Sequence, residues 1–320
     1  MASNVQELIE YVLIKNALIQ KEKAKTISTR FGDVKTFLET PPESYSEFTY
    51  VGGERALRFS YDEMQRVKKI QTSNLLKSNF SPSENFVKIL GMNFLKTQIT
   101  MIHSLSLEKM IVSPILIASL KFTTPQQIIK YNVYQSASRS IVTSMGFIVQ
   151  DLLKYSGPDI YDAKDCSEIH GTKWDLVKRK FGDVVTWIEV KSGPNDIDKA
   201  QILHYKEKIE AIEEKGEKAY IGETYGKRSM NTITHHHYKT SLPDWEKRTL
   251  IGRELWDFVS DDPDYHKKLM VLLREAAENI LMTKNIMEEI EETYERILKE
   301  FNEKYKDSKD PVKDYLEDMW

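Results

Sequence analysis

Residues 173–191 constrain this chain more than any other stretch. Two short apolar runs, Trp174-Asp175-Leu176-Val177 and Val184-Val185-Thr186-Trp187-Ile188-Glu189-Val190-Lys191, flank Phe181-Gly182-Asp183. Runs rich in β-branched and aromatic residues around a glycine turn read as two strands, at about 173–179 and 184–190. A helix is expected next, at about 197–214, where Ile202, Tyr205, Ile209 and Ile212 form an apolar stripe and Gly216 marks the stop. Ala219 to Gly222 reads as a further strand.

The charges in this unit are its unusual part. In a strand, residues two apart point to the same face, so Glu189 and Lys191 project together. Asp175 on the neighbouring strand lies beside Glu189 if the hairpin register allows it. A Glu-x-Lys pattern alone carries little in a chain with 30% charged residues, and Glu213-Glu214-Lys215 matches it too. The context differs, because Glu189 and Lys191 end a run that should be buried, where charge is costly unless paired or metal-bound. A cross-strand ion pair is one reading. A magnesium site for phosphodiester hydrolysis is the other. That chemistry needs a cation that polarises phosphate and helps form hydroxide, and magnesium is satisfied by one or two carboxylates plus waters.

Asp175, a hairpin, then Glu189-Val190-Lys191 and a helix resembles the active-site unit of the PD-(D/E)XK nuclease superfamily. Gln201-Ile202-Leu203-His204-Tyr205 is similar to a Gln-x-x-x-Tyr pattern of several of its branches. The chain looks like a type II restriction endonuclease, nearest the group that cuts GGNCC-containing sites. The likeness runs from Ser113-Pro114, through the helix at 138–153, to Ile251-Gly252-Arg253-Glu254-Leu255-Trp256 and the C-terminal helices.

The resemblance implies an α/β fold with a central mixed sheet flanked by helices. It also implies a homodimer cutting double-stranded DNA with Mg2+. Asp175, Glu189 and the Val190 carbonyl would then hold the metal, and Lys191 would orient the attacking water or stabilise phosphate charge. Gln201 and Tyr205, one turn apart, would support the site; a plain core role suits Tyr205 equally. The superfamily motif begins Pro-Asp, whereas Trp174 precedes Asp175, which leaves Asp165 and Asp183 as rivals. Two alternatives stay open: a repair or recombination nuclease of the same superfamily, and a non-catalytic helical DNA-binding scaffold.

The core is expected at 130–258, behind a mostly helical region at 1–129 and ahead of a C-terminal helical dimerisation region at 259–320. Asn4 and Glu7 read as a capped start to a helix running to about residue 25, apolar on several faces (Leu8, Ile9, Val12, Leu13). Residues 26–85 look less regular, punctuated by Pro41-Pro42 and Gly52-Gly53. Helices follow at about 83–104 and 124–153, with 110–114 unassigned between them. From about 282 to 305, Met287, Ile290, Tyr294, Ile297 and Phe301 recur on one side of a helix, and this stripe and the first helix are the expected dimer interface.

DNA contacts are expected from the polar segment after the 219–222 strand: Lys227, Arg228, Asn231, Thr232, His235, His237 and Lys239. Arg suits guanine and Asn suits adenine. His235, His236 and His237 alternate in direction if extended, which argues against a shared zinc. Arg139 and Ser140, near Ser136, Ser138 and Thr143, are further phosphate candidates, although capping explains the serines as well. The formal net charge of -3 neither favours nor opposes a local basic surface. One cysteine, Cys166, excludes a disulfide framework. The apolar stretch from Leu8 to Ile19 is broken by Glu10 and Lys15 and is too short for a membrane span, so the expected address is cytoplasmic.

Overall fold

The computed structural model describes residues 4–51, 55–164, 174–194, 197–281 and 284–320. Asp165, Cys166, Lys173, the Gly52-Gly53 pair and Met282 lie outside the described residues. Five strands form one mixed sheet in chain order: β1 (Ile160–Asp162), β2 (Leu176–Lys178), β3 (Thr186–Lys191), β4 (Lys218–Glu223) and β5 (Thr249–Ile251). The first three pair antiparallel and the last three parallel. The local sequence explains the change. A turn at 181–183, with Gly182 at φ +82, joins β2 to β3 directly. From β3 to β4 the chain passes through a helix, the kind of crossover that parallel neighbours require.

Fourteen α-helices are present among the described residues. In chain order they are α1 (Asn4–Lys15), α2 (Lys21–Ser28), α3 (Val34–Glu39), α4 (Tyr61–Thr72), α5 (Pro82–Ser104), α6 (Pro114–Ser119) and α7 (Pro125–Lys154). Then come α8 (Lys199–Glu213), α9 (Ile233–Ser241), α10 (Trp245–Arg248), α11 (Arg253–Ser260), α12 (Tyr265–Leu281), α13 (Ile286–Lys304) and α14 (Pro311–Glu317). No helix among the described residues is long and apolar enough to cross a membrane.

The chain divides into two compact units: Met1–Leu90 with Gln150–Leu273, and Gly91–Val149 with Arg274–Trp320. The sheet belongs to the first. On one sheet face, Val177, Trp187, Ala219 and Ile221 pack with Ile202, Ile209 and Ile212 of α8 and with Tyr238 of α9. Each large apolar side chain buried there contributes roughly 1.5–3 kcal/mol. On the opposite face, Tyr220 meets Phe258 edge-on at 5.6 Å. Gly222 leaves room for α11, since a Cβ at that position would lie 2.8 Å from Leu255 Cδ1.

Several expectations need correction. The first helix does not continue to about residue 25. It ends at Lys15, and the exposed Leu18, at φ 54, turns the chain into α2. Residues 26–85 are not irregular but hold α3, α4 and a 3-10 turn, Pro42–Glu47. Their caps explain this: Asp33 accepts from Thr36 N at 2.8 Å, and Ser60 with Glu63 forms a capping box ahead of α4. Within the unassigned 110–114 stretch, Ser113 caps α6 and Pro114 takes its first turn.

The expected dimer interface is also altered. Leu8, Ile9, Val12 and Leu13 are fully buried in the monomer. Ile290, Ile297 and Phe301 lie inside the core of the second unit with Ile128, Val133 and Tyr315. Apart from the exposed Met287, both stripes are therefore mostly covered within their own chain, the ordinary fate of an amphipathic helix.

Candidate active site

The hairpin register decides which charges meet. Leu176 pairs with Ile188 and Val177 with Trp187, so the next opposed positions are Asp175 and Glu189. Backbone pairing reaches that far, because Asp175 N donates to Ile188 O at 3.2 Å and Asp175 O accepts from Ala163 N at 3.1 Å. Alternation along the strands puts Asp175, Glu189 and Lys191 on the same face as Val177 and Trp187, toward α8. The rival Asp183 is exposed in the turn.

Each carboxylate is held by specific donors. Asp175 accepts from Gln150 Nε2 at 3.0 Å and from the backbone N–H of Val190 at 2.8 Å. Glu189 accepts from Lys191 Nζ at 3.0 Å on one oxygen and from Lys208 Nζ at 3.2 Å on the other. The Lys191 ammonium also lies 4.9 Å from the centre of the Tyr205 ring. Burial, and then the facing Glu189 charge, push the Asp175 carboxyl above the usual carboxylate range; Val190 N–H, Lys191 and Lys208 oppose this only in part. For Lys191, burial works against the charge, but the Tyr205 hydroxyl and Glu189 outweigh it and hold the ammonium above its ordinary range.

Two carboxylates that repel at close range suit a divalent cation, which would neutralise both. Among the described residues, no cluster of three or more His, Cys, Asp or Glu side chains is placed to hold a metal. The candidate ligands here reduce to the two acids Asp175 and Glu189, which would leave most of a cation's coordination to water. That pattern fits magnesium, which keeps most of its waters, better than a metal needing a full protein cage.

Gln150 and Lys208 were not singled out by sequence reasoning. Gln150 lies in the last turn and a half of α7, and only the packing of that helix brings it to Asp175. Lys208 had a signal: it follows Tyr205 by three residues on α8 and so shares its face. Gln201 goes elsewhere. It is exposed and closes a capping box with Asp198, with N–H to Asp198 at 2.8 Å and Oε1 accepting from Asp198 N at 3.0 Å.

A second buried acid sits beside the first. Glu223, at the end of β4, is the cross-strand partner of Lys191 and is fully buried. Its Oε2 is 3.2 Å from Nε2 of the buried His235. Nδ1 of His235 faces the Met230 carbonyl at 2.9 Å, and a carbonyl only accepts, so Nδ1 carries a proton. Tyr238 and Trp245 stack around the ring.

The remaining DNA candidates separate into two groups. Arg228 is bound internally: Nε and Nη2 donate to Glu254 at 2.7 and 2.5 Å, and Nη1 and Nη2 donate to Thr249. Thr232 caps α9, so the histidines stand on a helix and not on the extended segment expected for them. His235 is buried, and successive helical residues point apart, so the three still do not converge on one ion. Ser140 donates to Gln98 at 3.1 Å. Lys227, Asn231, Lys239 and Arg139 are exposed, and His237 is half-buried.

A mixed five-stranded sheet flanked by helices, with acids and a lysine gathered at the ends of β2 and β3, defines a restriction-endonuclease-like fold, the class of DNA-cleaving hydrolases. The profile of the family Type II restriction endonuclease EcoO109I matches residues 83–280, more than half of the chain, and the chain belongs to that family. No curated protein matches it.

Proposed function

We propose that this chain is a magnesium-dependent, site-specific endonuclease for double-stranded DNA, with Asp175, Glu189 and Lys191 as its cleavage centre. The observation that carries this reading is the β2–β3 register, which opposes Asp175 and Glu189 beside Lys191. Asp175, Glu189 and the Val190 carbonyl would hold the cation, which when bound would polarise the phosphate and lower the pKa of a bound water. The Val190 N–H and Gln150 fix the Asp175 carboxylate against the sheet. Lys191, held cationic by Tyr205 and Glu189, orients the attacking water or balances charge building on the phosphate.

The GGNCC-like target is carried from the family resemblance. Lys227, Asn231 and Lys239 are the contacts best disposed to reach DNA, since they are exposed. A homodimer follows from symmetry, because an enzyme that cuts both strands of a symmetric site matches it with its own two-fold axis. With the α1 and α13 stripes buried, the interface uses other surfaces. Light scattering at micromolar concentration, free and DNA-bound, checks this; a monomeric mass in both states removes the dimer.

Incubation with plasmid DNA and Mg2+, with an EDTA control, tests the function. Discrete fragments with one common end sequence are expected. A smear indicates a nonspecific nuclease, and efficient cutting in excess EDTA removes the metal mechanism.

A further inference from the structure

Lys208 is 8% exposed, yet it carries an ammonium. Burying such a charge costs several kcal/mol unless partners compensate. Its Nζ lies 3.2 Å from Glu189 Oε2, 4.4 Å from the centre of the Trp174 ring and 5.3 Å from that of Tyr205. The aromatic faces favour a cation at this spot, and Glu189 supplies the countercharge.

Lys208 also shares Glu189 with Lys191: both Glu189 oxygens are taken, one by each lysine. A divalent cation that binds Glu189 competes with these two ammonium groups for its oxygens. Lys191 is anchored beside Glu189 by its place on β3 and by Tyr205. Lys208 reaches the second oxygen from another element, α8, on a long flexible stem. It is the ammonium that can withdraw while the strand stays in place.

We propose that Lys208 is a positioning residue that holds Glu189 Oε2 when no divalent cation is bound and yields that oxygen when one arrives, so that it sets the cation affinity of the site. This rests on the reading of Asp175 and Glu189 as cation ligands. The ammonium keeps the carboxylate in its ligating rotamer before binding, and it competes with the incoming cation by charge. A purely structural lysine, tying α8 to the sheet, would affect stability and leave cation affinity unchanged.

Isothermal titration of the full chain with calcium, which occupies hard-oxygen sites at looser geometry, separates the two. Lys208→Met keeps the aliphatic stem over Trp174 and removes the charge. It is expected to bind calcium about tenfold more tightly than wild type, the order of one close unit charge at a partly screened site. Lys208→Arg, which keeps the charge, should stay within about twofold of wild type on the same reasoning. Lys208→Gln reads the same way as the Met variant if the latter does not fold. Unchanged or weaker calcium binding by a folded charge-removed variant overturns the proposal and leaves Lys208 a structural anchor. If Glu189→Gln binds calcium as well as wild type does, the ligand assignment itself fails, and the role of Lys208 falls with it.

Discussion

Glu189 and Glu223 stand on neighbouring strands and face the same side of the sheet, yet they are built for opposite ends. Glu189 is half-buried and shared by two lysines from two elements, partners that a competing cation can replace. Glu223 is fully buried against His235, with Tyr238 and Trp245 closing over the ring. Among the described residues it has no exposed surface. If Glu189 exchanges partners with a cation, as proposed, its two donors come from separate elements, and Lys208 on α8 is the one that can withdraw. A carboxylate that holds a fold together is sealed by neighbours that do not exchange, here His235 and Tyr238.

Breaking the sealed pair should have the largest effect on stability. His235→Phe leaves Glu223 buried without its hydrogen-bonded partner, a loss of about 3–5 kcal/mol. Urea denaturation measures it, and a loss below about 1 kcal/mol would mean that the Glu223 pocket is not sealed. Gln201→Ala sharpens the comparison from the other side. It removes one arm of the α8 capping box, so a loss of about 1 kcal/mol is expected with the cleavage rate unchanged. A large drop in cleavage at full stability would return Gln201 to the site.

Asp175→Asn should give the smallest change, in the opposite direction. Burial and the facing Glu189 raise the folded-state value of Asp175 above its ordinary one, so the folded chain keeps that proton to higher pH than the unfolded chain. Stability therefore falls as pH rises from about the ordinary carboxylate value through the raised one, and the loss persists at neutral pH. The Asn variant lacks this loss, and its unfolding midpoint at pH 7 should lie slightly above that of wild type. Thermal scans at pH 4 and pH 7 check the sign: the gain should shrink at the lower pH.

What could be seen in advance was local. The apolar runs around Phe181-Gly182-Asp183 announce a hairpin, and Ile202, Tyr205, Ile209 and Ile212 announce α8, because each pattern is set by residues a few positions apart. Asp198-x-x-Gln201 is itself a capping-box signature, so the destination of Gln201 was legible and was overridden by the superfamily pattern. Gln150 and Lys208 were harder, since their places depend on how α7 and α8 dock on the sheet, a long-range matter. The α13 stripe was legible as amphipathic, but periodicity does not say whether its partner is the same chain or another. His235 suggests a surface DNA contact from sequence because its burial partner, Glu223, is on another element.

The most direct measurement of the central claim is single-turnover cleavage of plasmid DNA in Mg2+ by Glu189→Gln and Lys191→Met beside wild type, with thermal unfolding recorded on the same preparations. The account predicts cleavage slowed by at least about 100-fold in both variants while both still unfold cooperatively; Glu189→Gln also lowers the midpoint, because it leaves the buried Lys208 without its countercharge. Cleavage near the wild-type rate by either folded variant would contradict it and leave the Glu189–Lys191 contact an ordinary ion pair.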